Sequence, residues 1–324
     1  MITPQLKRWG RALPVAWQKA ILRRARGLDL PAIVADLFLD YPPGDRGFDP
    51  VRTKWNFFWI EQIAGRYFRT TTIGAENIPD GRALIVGCHG GVMPWDAILL
   101  MPEIYRLTLR FSWYAGHEFW GRYAPLRNGL VPTGLVLGGL PEFEELLRRG
   151  ELCTIFPDGG QGMRRSYFRK SERYRVKPDK GFAPARGGYI KLALRTRSPI
   201  VPVAIVGVEE IHYCLANLPR LARRLGVPVF PLIASVFPLP ARVYIRFGEA
   251  IRFPAPPEAA DDQAVVDRLN EQVRGALQAL IDDTLRRRKG VYWSSYDASD
   301  GNRVRTGRPG APPTTRREAR GRAA

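Results

Sequence analysis

The chain is poor in the residues that most often mark chemistry. Of its 324 residues only three are histidine and three are cysteine. Cys88, Cys153 and Cys214 form no Cys-x-x-Cys pair and no even framework. That argues against structural zinc and a disulfide scaffold, and for a reducing compartment. Long apolar runs are also absent. The N-terminal stretch "MITPQLKRWGRALPVAWQKAILRRARGLDL" carries charges every few positions, unlike the apolar region of a signal peptide or a spanning helix. Gly226 to Ala241, "GVPVFPLIASVFPLPA", has no charge, but its prolines break any regular spanning helix, which leaves a loop pressed on a bilayer surface as the membrane option. The expectation is a protein without signal peptide or clear transmembrane helix, peripheral on the cytoplasmic side of a membrane.

Several motifs are missing too. No G-x-G-x-x-G follows a strand, and there is no G-x-x-x-x-G-K-[ST], no G-x-S-x-G and no H-E-x-x-H. Dinucleotide oxidoreduction, P-loop chemistry and the commonest serine hydrolase layout lose most of their support. No metal and no bound cofactor is expected.

Positive charge is abundant. Fifty Lys and Arg stand against 31 Asp and Glu, a formal charge of +19, so the molecule attracts polyanions. Nucleic acid, an anionic membrane face and phosphorylated small molecules all fit that charge. At 45% hydrophobic residues the chain can bury one sizeable core.

Three regions follow from the texture. Residues 1–67 read as a basic, amphipathic helical region with aromatic bulk in "WNFFWIEQIAGRYF", suited either to packing on its own domain or to a membrane interface. Residues 68–290 alternate short β-like runs ("RALIVG", "LRFSWYAG", "ELCTIF", "PIVPVAIVG", "ARVYIRF") with helical ones ("AILLMPEIYRL", "PEFEELLRRG", "RGGYIKLALRTR"). Such alternation predicts an α/β fold with a largely parallel central sheet flanked by helices. A last helix carries Val265, Val266, Leu269, Val273, Leu277, Leu280 and Ile281 on one stripe and docks at the C-terminal side. Residues 291–324, rich in Arg, Pro, Gly and Thr, have almost nothing to bury and read as a disordered tail.

The candidate site begins with "IVGCHGGVMPWDAILL", Ile85 to Leu100. His89 closes an apolar strand, Gly90 and Gly91 let the backbone turn and a ligand come close, and Asp96 falls in the first turn of a helix behind Pro94. A loop folded back over the six intervening residues brings the acid to a ring nitrogen of His89, which then serves as a general base with a fixed tautomer. The plainer alternative is a hydrogen-bonded structural histidine beside a helix-start acid. A second strand exit, "CTIFPDGGQGMRR", offers backbone N–H groups and the guanidinium forks of Arg164 and Arg165 to a phosphate or carboxylate. In "SPIVPVAIVG", Pro202 marks a sheet edge, a bulge or a strand end.

Taken in order, these segments resemble the glycerolipid acyltransferase family of the lysophosphatidate acyltransferase type, over about Thr71 to Phe253. "HGGVMPWD" is similar to the His-x-Gly-Gly-x-Pro-x-Asp version of the family's first block and implies His89 as base and Asp96 as its partner. "FPDGGQ" resembles the Phe-Pro-Glu-Gly block and implies substrate binding by Phe156, Pro157, Asp158 and Gly159. It departs twice: Asp158 replaces the glutamate, and Gln161 stands where the phosphate-binding arginine is usual, with Arg164 or Arg165 a little further on. "LRNGLVPTG" is similar to the second block, preceded by Arg127, and "IVPVAIVG" with Pro202 to the fourth. The resemblance implies transfer of an acyl group from acyl-CoA or acyl carrier protein to a lysolipid acceptor such as 1-acyl-glycerol-3-phosphate, beside an anionic membrane surface. A non-phosphate lipid acceptor, or a degenerate lipid-binding relative, is the alternative. Specific nucleic acid binding is not expected, because it would leave "HGGVMPWD" without a role.

Overall fold

A computed structural model describes residues 45–108, 110–116, 122, 124–137, 139–159, 162, 168, 173–226 and 230–292. Of the expected N-terminal helical region 1–67, the first 44 residues lie outside the described residues and the rest holds a helix over Pro50–Arg66, and of the tail 291–324 only residues 291 and 292 are described.

The described residues form nine strands: β1 (Thr71–Ile73), β2 (Ala83–Val86), β3 (Ser112–Ala115), β4 (Leu135–Val136), β5 (Leu152–Ile155), β6 (Ile200–Val206), β7 (Cys214–Asn217), β8 (Pro231–Ile233) and β9 (Tyr244–Phe247). Seven of them form one sheet in the order β1-β9-β6-β2-β5-β3-β4. Strands β6, β2, β5, β3 and β4 run parallel, and β9 pairs antiparallel with β6, so β9 and β1 point the other way. The expected largely parallel α/β sheet is therefore what the chain forms. Strands β2, β5 and β6 are buried along their whole length, which fits their almost unbroken apolar sequences and the two-faced cover of a parallel sheet.

Seven helices are described: α1 (Pro50–Arg66), α2 (Trp95–Thr108), α3 (Ala124–Leu130), α4 (Leu140–Arg148), α5 (Gly188–Thr196), α6 (Pro219–Leu225) and α7 (Gln263–Arg287). Helix α1 starts where Asp49 accepts the Arg52 amide at 3.0 Å, and its inner face buries Thr53, Phe57 and Ala64. Phe57 meets Tyr105 of α2 and Phe111, with ring centroids 5.8 Å and 6.2 Å apart. Helix α7 lies against β6 and β9, and Asp262 caps it by accepting the Ala264 and Val265 amides. Its stripe from Val266 to Ile281 is buried, as the spacing predicts, while Val265 and Leu280 are half-buried at the margin.

Of the three readings of Pro202, the sheet edge and the strand end are excluded, because it lies inside β6 between β9 and β2. The bulge stands: Val203 pairs with Phe247 while Ile200 bridges Ile251, so the register slips by one residue across the proline. Strand β6 pairs with β2 from Ile200 to Pro202 and with β9 from Val203 to Val206, so the proline sits where the strand exchanges partners. Its carbonyl still accepts the Gly248 amide at 2.8 Å. The proline-rich stretch expected as loop also holds a strand: β8 pairs antiparallel with β7 in a ribbon outside the main sheet, with α6 as its connection.

Candidate active site

Strands β2 and β5 are parallel neighbours in register, with Val86 opposite Ile155. Their carboxyl ends therefore release "GCHGG" and "FPDGG" side by side, at the end of a parallel sheet where ligands commonly bind. On the other flank β2 pairs with β6, whose exit carries Val208 to Glu210 in a short turn.

His89 is held from three sides. Its Nδ1 lies 2.8 Å from Asp96 Oδ2, and the same oxygen accepts the Gly90 amide at 2.9 Å. Asp96 Oδ1 accepts the Ala97 amide at 2.7 Å, so this fully buried carboxylate has a partner on each oxygen at the start of α2. The imidazole stacks on Phe156 with centroids 4.3 Å apart and planes at 13°. Behind it, Asp158 receives the His89 amide at 3.1 Å on both oxygens, and Oδ2 also receives the Cys88 thiol at 3.0 Å.

Glycines make this turn possible. Gly91 has φ +77°, and a Cβ there would sit 2.7 Å from the Val208 carbonyl. Gly162 packs so closely that a Cβ would lie 2.2 Å from Asp158 Oδ2 and 2.6 Å from His89 Cβ. A side chain at either place pushes on the histidine or its supports.

The geometry sorts the expected site residues. His89, Asp96, Gly90 and Gly91 come together, with Phe156, Pro157, Asp158 and Gly159 immediately beside them. Phe156 lies under the imidazole, and Asp158, with no exposed surface, reaches inward to the His89 backbone and Cys88 rather than outward to a substrate. Pro157 takes part in a backbone contact, its carbonyl accepting the Gly181 amide at 2.9 Å. Arg127 is exposed on α3, which connects β3 to the edge strand β4. Pro202 is buried one level down, with its ring packed toward Gly248. Gln161, Arg164 and Arg165 lie outside the described residues. The Gly90 amide is already taken up by Asp96 Oδ2 and so is not free for a substrate oxygen.

Sequence reading missed a second set of groups. Glu209 and Glu210 follow β6 and are buried. Glu209 accepts the Tyr174 amide at 2.9 Å and lies against Gly90. Glu210 binds both terminal nitrogens of Arg288 at 2.9 Å and takes the Tyr174 hydroxyl, whose oxygen in turn accepts the Gly207 amide at 3.0 Å. Burial, reinforced by the Glu210 charge, pushes the Tyr174 hydroxyl well above the usual phenol range. His212 is a further neighbour: its Nδ1 lies 2.9 Å from the Ser235 carbonyl and its ring stacks 6.3 Å from Trp95. The one available signal was a pair of acids directly after an all-apolar strand, where solvated charge is out of place. Among the described residues no group of three or more His, Cys, Asp or Glu gathers as a metal site.

Fold and site together define a mostly parallel α/β protein in which a half-buried histidine is paired with a buried aspartate at the carboxyl end of a central strand. No protein-family model matches the chain. The uncharacterized protein Rv0502 of Mycobacterium tuberculosis is 31% identical over 272 residues, covering 78% of this chain and 72% of that protein. The chain belongs to the family of that mycobacterial protein. A Gallus gallus protein named DGAT1/2-independent enzyme synthesizing storage lipids is 28% identical over 211 residues, covering 64% of this chain and 58% of its own length. Among solved structures, the 1-acyl-sn-glycerophosphate (LPA) acyltransferase PlsC from Thermotoga maritima superposes with a TM-score of 0.39 at 21% identity, covering 68% of this chain and 81% of that one.

Proposed function

We propose that the protein transfers a fatty acyl group from an acyl thioester, of coenzyme A or acyl carrier protein, to a lipid hydroxyl. The observation that carries this reading is the His89 Nδ1–Asp96 Oδ2 contact of 2.8 Å, which joins a histidine just past the end of β2 to a buried acid in the first turn of α2. Asp96 occupies Nδ1, so proton transfer runs through Nε2. His89 takes the proton of the acceptor hydroxyl as its oxygen attacks the thioester carbonyl. It then returns that proton to the departing thiolate, while Asp96 stabilises the imidazolium in between. The acyl group passes directly between the two substrates, and the Cys88 thiol stays on Asp158. General base catalysis supplies on the order of 10² to 10⁴-fold, so holding both substrates in line supplies much of the remainder. The formal charge of +19 suits the phosphates of the donor.

The first acceptor reading is a lysophospholipid such as 1-acyl-glycerol-3-phosphate, in line with the motif resemblance. A second reading, a lipid hydroxyl without phosphate, is favoured by Gln161 in place of the motif arginine and by the storage-lipid name of the chicken relative. One experiment addresses both. Purified protein is given a long-chain acyl-CoA with lysophosphatidate, monoacylglycerol or diacylglycerol, and His89→Ala is run alongside. Turnover lost in the variant supports the mechanism, the preferred acceptor decides between the readings, and equal turnover by the two proteins overturns both.

A further inference from the structure

Two exposed apolar features meet on the surface. Helix α1 turns Trp55, Trp59 and Ile63, each four residues from the next, away from the core, with the two tryptophans 55% and 62% exposed. At the tip of the loop after β8, Val236 and Phe237 are 80% and 81% exposed. The features are joined, because the Tyr67 hydroxyl at the end of α1 donates to the Pro238 carbonyl and Arg69 donates to the Pro240 carbonyl at 2.7 Å.

The same loop reaches the candidate active site. The Phe237 carbonyl accepts the Ser235 hydroxyl at 2.6 Å, the Ser235 carbonyl lies 2.9 Å from His212 Nδ1, and His212 stacks on Trp95, the residue before Asp96. Charge on the excursion has one sign. From Cys214 to Pro240 there is no Asp or Glu, and its only charged side chains are Arg220, Arg223 and Arg224, all exposed.

We propose that the Trp55–Trp59–Ile63 stripe and the Val236–Phe237 tip form one docking face for an anionic lipid bilayer, with the arginines of α6 beside it in the headgroup layer. Exposed tryptophans settle at the membrane interface, and an acid-free excursion meets no repulsion from anionic headgroups. No helix among the described residues is long and apolar enough to cross a membrane, so docking is on the surface. Docking places the end of β2 at the bilayer from which a lipid hydroxyl would come; that orientation rests on the acyl-transfer reading, whereas the docking does not. An acidic soluble protein would engage the arginines but gains little from an exposed Phe237 and a tryptophan stripe on a separate helix.

The test is co-sedimentation of the full-length protein with phosphatidylcholine vesicles, with and without phosphatidylglycerol. Burying a side chain such as Phe237 in the bilayer is worth about 10- to 100-fold in partitioning, and each arginine near an anionic surface about fivefold. Val236→Ser with Phe237→Ser, and separately Trp55→Ser with Trp59→Ser, should each lower binding at least tenfold on anionic vesicles. Arg223→Glu with Arg224→Glu should lower it only when phosphatidylglycerol is present. Unchanged melting shows that the variants fold, and brominated lipids should quench wild-type tryptophan fluorescence more than that of the Trp55/Trp59 variant. His89→Ala should bind like wild type, and the loop variant should keep turnover on detergent-dispersed substrate, which separates failure of docking from failure of the catalytic reading. Wild type left in the supernatant overturns the proposal. So does wild-type binding by both apolar variants, which would assign adhesion to residues 1–44 or to another surface. Loss of a dimer or of acyl carrier protein binding in the variants, without loss of vesicle binding, would make this a protein interface instead.

Discussion

His89 and Asp96 are joined by a 2.8 Å contact in which one carboxylate oxygen also holds the Gly90 amide, so the group that orients the imidazole also closes the turn carrying it. Replacing Asp96 by Asn keeps the shape but presents an amide whose NH₂ cannot accept from Nδ1–H and Gly90 N–H. The expected result is a fall in kcat on the order of 10² to 10⁴-fold, the range of general base catalysis, with KM nearly unchanged. Steady-state kinetics on whichever acceptor the panel assay prefers reads this directly. A loss below threefold would remove Asp96 from the mechanism.

Asp158 acts differently. Its oxygens receive the His89 amide and the Cys88 thiol and it has no exposed surface, so it positions the histidine from behind. Asp158→Asn turns a donor toward those donors and should cost about 1–3 kcal/mol of stability through the unsatisfied buried groups. Activity should fall through kcat, while the acceptor KM stays within about twofold. A large rise in KM with unchanged kcat and unchanged melting would return Asp158 to substrate contact.

Gly162→Ala probes the same support without changing charge. The added Cβ meets Asp158 Oδ2 and His89 Cβ well inside contact distance, so the histidine or its acid must move. Misplacement on the order of 1 Å can cost about 10²-fold, and loss of at least tenfold in kcat is expected with secondary structure intact by circular dichroism. Wild-type kcat in this variant would mean that Gly162 does not press on Asp158 and His89.

Much of this site could be read from the chain. Strand ends marked by His89 and Asp158 were visible because apolar runs stop abruptly at glycine-rich turns, and the late stripe of α7 shows at helical spacing. That β2 and β5 are neighbours was not legible, since pairing partners are set by the whole sheet. For Pro202 the chain left a sheet edge, a bulge and a strand end open, because a proline fits all three, and only the register slip between Val203 and Ile200 selects the bulge. Glu210 was hidden for another reason: its partner Arg288 is 78 residues away, so a buried ion pair reads as two solvated charges. Prolines around β8 masked a strand of the outer ribbon.

Alkaline pH should expose the buried tyrosines. Burial pushes Tyr114 up to about 12, and burial also raises Tyr174 and Tyr189 above the usual phenol range. A folded pKa above the unfolded value of about 10 means that stability is complete below pH 10 and declines as pH rises through the folded values, because only the unfolded chain ionises. Each tyrosine contributes a slope of up to about 1.4 kcal/mol per pH unit in that window. Denaturant midpoints should therefore be flat from neutral pH to about 9.5 and fall steeply above 10. Tyr174→Phe leaves Glu210 and the Gly207 amide each short of a partner, so it should be less stable than wild type by about 1–3 kcal/mol at pH 7. It also removes one of the ionising groups, and the gap between the two proteins should narrow above pH 10. Two curves that stay parallel to pH 11.5 would show that Tyr174 ionises as easily folded as unfolded, contrary to its burial.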